Sequence, residues 1–397
     1  MSLVFEDHSF DFELLRALGY SVSGGADIGE CLSTASRIRE GDTQSWYTEW
    51  KRTAERVHAF ADASLARGER ISARESYLRA SNYYRCAEFY LHITPDDARS
   101  LPTWEQSRSC FRQALALFES PYEEVEIPYE GTTLPGYFYR VDASETPRPT
   151  LILHGGYDST GEELYCEHVY AALARGYHCL AFEGPGQGSV IRQQHVPFRP
   201  DWEAVITPVV DYVISRPEVD PSRLVLLGIS LGGYLAPRAA AYEHRLAACV
   251  AIDGIYSFGE AIEKMMSLPP TGHSSQEQEA VANALAHAQS QQNTLLRWSI
   301  AQGMWTFAAS SPFEVMQEAR HYTMQGCAEQ ITCPLLVCDA QEDLFFQGQA
   351  RKLYDAVTCP KTYLAFSSEE GAGAHCHFGA LTRLNQELFA WLDQTLG

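Results

Sequence analysis

Residues 223–241, RLVLLGISLGGYLAPRAAA, decide the fold. LVLLG is a short apolar run of the kind found in strands buried on both faces. LGGYLAPRAAA, which follows, reads as a helix. Between them Gly228-Ile229-Ser230-Leu231-Gly232 fits G-x-S-x-G, a strand-to-helix turn so tight that its flanking positions must be nearly free of side chain. The pentapeptide alone is a weak signal, because a glycine turn with an incidental serine looks the same. The strand before it and the helix after it make the difference. They put Ser230 at a strand end and a helix N-terminus, where backbone N–H groups can stabilise negative charge.

The same rhythm extends in both directions. PTLILHGG, HCLAFEGPGQG, AACVAIDG, PLLVCDA and KTYLAFS read as strands or strands with their turns. ELYCEHVYAALARGY and WEAVITPVVDYVIS read as helices between them. Alternating βα units predict an α/β fold with a mostly parallel, doubly wound sheet. YEEVEIPYE and LPGYFYRV, just after Pro121, alternate as a hairpin would. Residues 1–120 show helical spacing and no strand alternation, with Ser72 as a candidate N-cap, so an N-terminal all-α cap is expected before a core at 121–397. Residues 255–329 also lack strand signals, and we expect a helical lid over the C-terminal edge of the sheet.

Composition excludes several classes. With 45% hydrophobic and 20% charged residues, the 397-residue chain is neither disordered nor a disulfide scaffold. A formal net charge of −21 offers nucleic acid and anionic membranes no basic footprint, so a neutral small molecule is the expected partner; homodimerisation is left open. The start, MSLVFEDHSFDFELL, has neither a cationic segment nor an apolar run, and no stretch is long enough to span a bilayer. Eleven cysteines without a C-x-x-C spacing are expected to be reduced and mostly buried, in a cytoplasmic protein with no metal and no cofactor.

A serine nucleophile needs a base and an orienting acid, which in this strand–turn–helix context follow it along the chain. PLLVCDA carries Asp339 within or at the end of the strand, and the loop after it offers Glu342 and Asp343, of which Asp343 is best placed; Asp253, in VAIDG, is the alternative. His375 and His377 lie in the glycine-rich loop SSEEGAGAHCHFGA; His375 is favoured as base and His377 as packing, since no carboxylate–histidine cluster supports a metal pair. The oxyanion hole calls for Leu231 N–H and a donor from HGGYD at 154–158, with Tyr157 chosen and Gly156 close behind. His154 reads as structural. FEGPGQG at 182–188 lacks the spacing of a phosphate loop and reads as a tight turn. Trp46, Trp50, Tyr83, Tyr84, Phe89, Trp298 and Trp305 mostly serve as core, with a few expected to line an apolar pocket between the helical blocks and Ser230.

HGGYDST, FEGPGQG, the run from Asp201 to Ala241, EDLFFQGQARKLY and EEGAGAHC together resemble the FrsA-like α/β-hydrolases. The helical stretches GDTQSWYTEW and SARESYLRASNYYRCAEFYL resemble the fungal polyketide (heptaketide pigment) hydrolase branch, to which 2,6-dihydropseudooxynicotine hydrolase is related. The resemblance implies an α/β-hydrolase fold, Ser230, Asp343 and His375 as a catalytic triad, and carbon–carbon or ester hydrolysis of a polyketide-derived or β-diketone-like substrate in secondary metabolism. It also implies an extra substrate-holding acid near the lid, for which Glu260 is the candidate. A plain carboxylesterase and a lactone-forming cyclase are the alternative activities, and a non-catalytic binding protein on the same fold is a further one.

Overall fold

The computed structural model describes residues 3–265 and 275–397. Its centre is an eight-stranded sheet: β1 (Tyr122–Tyr129), β2 (Thr132–Tyr139), β3 (Arg148–His154), β4 (His178–Phe182), β5 (Val219–Ile229), β6 (Ala248–Ile252), β7 (Leu335–Ala340) and β8 (Lys361–Phe366). The spatial order is β1-β2-β4-β3-β5-β6-β7-β8. The β1–β2 and β2–β4 pairs are antiparallel; every later pair is parallel. Every residue of β4 and β6 is buried, as expected of parallel strands covered by helices on both faces.

The N-terminal region is helical. His8–Gly19 is capped by Asp7, whose carboxylate accepts from the N–H groups of Ser9 and Phe10. Thr43–Ala66 starts at Asp42, which accepts from Ser45 N–H, and buries Trp46, Trp50, Thr53, Ala54, Val57 and Ala61 along one face. Arg70–Glu88 packs beside it. The helix begins before Ser72, so that residue lies in its first turn and Glu69 holds the N-cap position, without a side-chain cap bond. Ser100–Leu115 completes this block.

Between β6 and β7 the chain makes helices Phe258–Met265, Ser275–Ser290, Thr294–Thr306 and Pro312–Ala319. The expected helix after β3 is partly a π-turn, Tyr165–Val169, continued by Tyr170–Leu173. Part of the 255–329 stretch, residues 266–274, lies outside the described residues. The eleven cysteines are all free thiols, ten of them buried. No helix among the described residues is long and apolar enough to cross a membrane.

Candidate active site

β5 ends at Ile229, and the next helix, Gly232–Ala240, starts two residues after Ser230. Ser230 itself has φ +60°, in the left-handed region that residues with a Cβ rarely adopt. The turn closes only because its flanks are bare: a Cβ on Gly228 would stand 2.0 Å from the Gly232 carbonyl oxygen. The 154–158 loop packs onto this turn equally closely, since a Cβ on Gly156 would be 2.6 Å from Leu231 N. That approach sets the backbone of Tyr157 beside the elbow. The N–H groups of Leu231 and Tyr157 have no hydrogen-bond partner among the described residues.

The loop after β8 delivers His375. Its Nε2 is 2.9 Å from Ser230 Oγ. Its Nδ1 is directed to Asp343 Oδ2 at 3.1 Å, with Asp253 Oδ2 beside it at 2.8 Å. Two carboxylates at Nδ1 require a proton there, which leaves Nε2 of the neutral ring as the acceptor for the Ser230 hydroxyl. Asp343 is anchored through its other oxygen by the N–H groups of Phe345 (2.7 Å) and Phe346 (3.0 Å). Asp253 accepts from Cys376 N–H at 2.5 Å, and its Oδ1 lies 3.6 Å from His377 Nε2. Burial alone would lower the pKa of His375, but the charges of Asp343 and Asp253 outweigh it and hold the ring well above the ordinary histidine value. Asp253, Cys376 and His377 share the left-handed backbone of Ser230, with φ of +55°, +54° and +57°, so strain gathers around this cluster.

His377 is fully buried, its Nδ1 2.8 Å from the Ala372 carbonyl oxygen. His154 accepts from Trp202 Nε1–H at 3.2 Å, and burial lowers its pKa to about 4, so it stays neutral inside the loop it shapes. Asp253, His375 and Cys376 offer ligand atoms within 4.8 Å of one another, but burial pushes the Cys376 thiol up and away from the thiolate a metal would want.

A cavity opens above Ser230 and His375. Its apolar wall comes from three parts of the chain: Phe12 and Phe89 from the N-terminal helices, Phe258 and Trp298 from the 255–329 stretch, and Phe345 and Phe346 from the loop after β7. Trp298 stacks on Phe89 at 4.4 Å between ring centroids. Trp46, Trp50, Tyr83 and Tyr84 are instead core of the helical block, and Trp305 packs against His92 at 4.9 Å.

Glu260 is not brought to this cavity. On helix Phe258–Met265 the positions facing it are Phe258, Ala261, Ile262 and Met265, at the spacing of one helical face. Glu260 falls on another face, 48% exposed, where it pairs with Lys352 and accepts from Gln349 Nε2 at 3.3 Å. The cavity also holds residues that no sequence signal singled out: Glu13, Arg16, Asp158 and Glu167. They lie in two stretches of chain with no shared motif, and only folding brings them together.

Comparison with known proteins fits this geometry. The family model described as the alpha/beta hydrolase family matches residues 150–384. Hydrolase LUC6 of a Fusarium species is 36% identical over 419 residues, covering 100% of this chain and 99% of that protein. The 20-hydroxy-prefusarin hydrolase FUS2 of Gibberella moniliformis is 35% identical over 412 residues, covering 100% and 98%. Among solved structures, 2,6-dihydroxy-pseudo-oxynicotine hydrolase shares the fold at a TM-score of 0.76 and 21% identity, over 96% of this chain and 95% of its own. The chain is a hydrolase that belongs to the alpha/beta hydrolase family.

Proposed function

We propose that the protein is a serine hydrolase acting on an apolar, polyketide-derived ester or β-diketone. The observation that carries this reading is the contact of Ser230 Oγ with His375 Nε2 at 2.9 Å, at the floor of an aromatic cavity. In this mechanism His375 Nε2 takes the hydroxyl proton as Ser230 Oγ attacks a substrate carbonyl carbon. Asp343 holds the Nδ1–H tautomer and stabilises the imidazolium, and Asp253 adds a second negative charge to the same nitrogen. The N–H groups of Leu231 and Tyr157 receive the oxyanion. Collapse breaks either the ester C–O bond, releasing an alcohol, or a C–C bond, releasing an enolate that His375 protonates. The C–C route needs a second carbonyl next to the leaving carbon, which a β-diketone provides. Water, deprotonated by the same histidine, then attacks the acyl-Ser230 ester and frees the acid. The names of the fungal relatives support a substrate from secondary metabolism.

In this reading residues 1–120 form a cap and 255–329 a lid on the core, since both contribute walls to the cavity. The test is product analysis with an aryl-substituted 1,3-diketone and with its matched ester. A carboxylic acid plus a methyl ketone from the diketone supports C–C hydrolysis. Acid from the ester alone makes the protein a carboxylesterase. No product from either overturns the reading.

A further inference from the structure

Part of the cavity lining is not apolar. Glu13, Arg16, Asp158 and Glu167 form it, and all are buried or nearly so. Arg16 bridges Asp158 Oδ2 at 2.8 Å and Glu163 Oε2 at 2.7 Å, with Glu13 Oε1 at 3.4 Å. Arg85 adds a contact to Glu13 at 3.2 Å. Glu13, Asp158, Glu163 and Glu167 thus crowd around two guanidinium groups. Buried charge in such excess is too costly to keep, so protons stay on some of the acids.

Glu167 stands apart from the other three acids. Tyr20 Oη lies 2.9 Å from Glu163 Oε2 and 2.8 Å from Glu167 Oε1, yet it has one hydrogen. Glu163 Oε2 already accepts from Arg16 Nη2 at 2.7 Å, and Tyr20 donates its one hydrogen to that same oxygen. The second contact then closes with a proton on Glu167 Oε1, donated to Tyr20. Burial and the Glu163 charge push Glu167 up to about 8, which agrees. Its Oε2 then remains a carbonyl-like acceptor. That atom is buried and has no hydrogen-bond partner among the described residues. Glu167 sits on the π-turn Tyr165–Val169, a local departure from the α-helix that recurs at functional sites.

We infer that Glu167 Oε2 accepts a hydrogen bond from a hydroxyl of the substrate, and that this part of the cavity selects an uncharged, hydroxyl-bearing acyl chain. The inference rests on the cavity being the substrate pocket of the Ser230 hydrolase. An anionic group would meet the surplus carboxyls, and a plain alkyl end would leave Oε2 unpaired.

The experiment compares p-nitrophenyl esters of straight-chain acids, from six to ten carbons, with and without a terminal hydroxyl. The readout is the ratio of kcat/KM for each matched pair, so each protein is its own control. Wild type is expected to prefer the hydroxylated ester by about tenfold or more at one or more chain lengths. Glu167→Gln should keep the preference, because its amide N–H replaces the donor to Tyr20 and its carbonyl replaces the acceptor. Glu167→Leu should reduce the ratio to about one, chiefly through KM. A wild type without preference at any length overturns the inference, as does a Glu167→Gln variant that loses it or a Glu167→Leu variant that keeps it. The first two outcomes stay decisive if Glu167→Leu does not fold. Fluorophosphonate labelling of wild-type Ser230 separates the two failures: labelling without hydroxyl preference sinks only the subsite.

Discussion

Two buried clusters beside the cavity solve opposite electrostatic problems. Beside Ser230 each charged group has a directed partner: His375 Nδ1 meets Asp343 at 3.1 Å and Asp253 at 2.8 Å, and backbone N–H groups fix both carboxylates. Around Glu167 acids outnumber cations, and burial pushes Glu13 and Glu167 up from the ordinary carboxylate range. In the proposed mechanism the first arrangement sets a base next to a nucleophile. The second supplies polarity without a directed base, which suits recognition. Buried acids are thus compensated in two ways: by an oriented imidazole beside Ser230, and by shared guanidinium groups and raised pKa values around Glu167.

The largest effect is expected at Ser230, the proposed nucleophile. Ser230→Ala should fold normally and lose turnover by about 10⁴-fold or more, measured as kcat on any ester the wild type cleaves. Retention of a tenth of the activity would place the chemistry elsewhere. The paired acids come next. Asp343→Asn should cut kcat by about 10²–10⁴-fold, because an amide can neither stabilise the imidazolium nor enforce the tautomer. Asp253→Asn should cost less and shift the acid limb of the pH–rate profile downward. The sign follows from His375: its pKa is raised by both carboxylates, turnover requires the neutral ring, and removing one charge lets it deprotonate at lower pH. A crippled Asp253→Asn beside a mild Asp343→Asn would transfer the orienting role.

In the second cluster, Arg16→Met should leave Glu13, Asp158 and Glu163 undercompensated and lower stability by about 3–5 kcal/mol in urea unfolding. A change below about 1 kcal/mol would show that the acids already rely on protons alone. Glu167→Gln gives a smaller signal in the pH dependence of melting. The folded pKa of Glu167, about 8, is above its unfolded value, so its contribution is complete at acid pH and is lost as pH rises toward 8. Wild type should therefore lose more melting temperature between pH 5 and 8 than the variant does; equal slopes would mean that Glu167 is ionised throughout. Glu260→Gln, on the exposed helix face, should change kcat/KM by less than about twofold.

What the sequence made legible follows the same division. β5, the elbow and the loops carrying His375 and Asp343 are local signals: an apolar run, glycines where no Cβ fits, and a titratable side chain in the loop after a strand. The rest depends on contacts distant in sequence. Glu13 and Arg16 sit one turn apart on a helix that looks ordinary, and their partners Asp158 and Glu163 lie some 150 residues on. Glu260 misled because its position along the chain suits a lid residue, whereas the helix phase that turns it outward is set by Phe258, Ala261, Ile262 and Met265. The closeness of Asp253 to His375 was open in the sequence, since two different loops each present an acid.

Ser230 as nucleophile, activated by His375, is testable by labelling with a fluorophosphonate, followed by peptide mapping of the modified residue in wild type and in His375→Ala. A single adduct on Ser230 is expected, formed fast in wild type and slowed by orders of magnitude in His375→Ala. An adduct on any other residue, or labelling of Ser230 at an unchanged rate without His375, would contradict it.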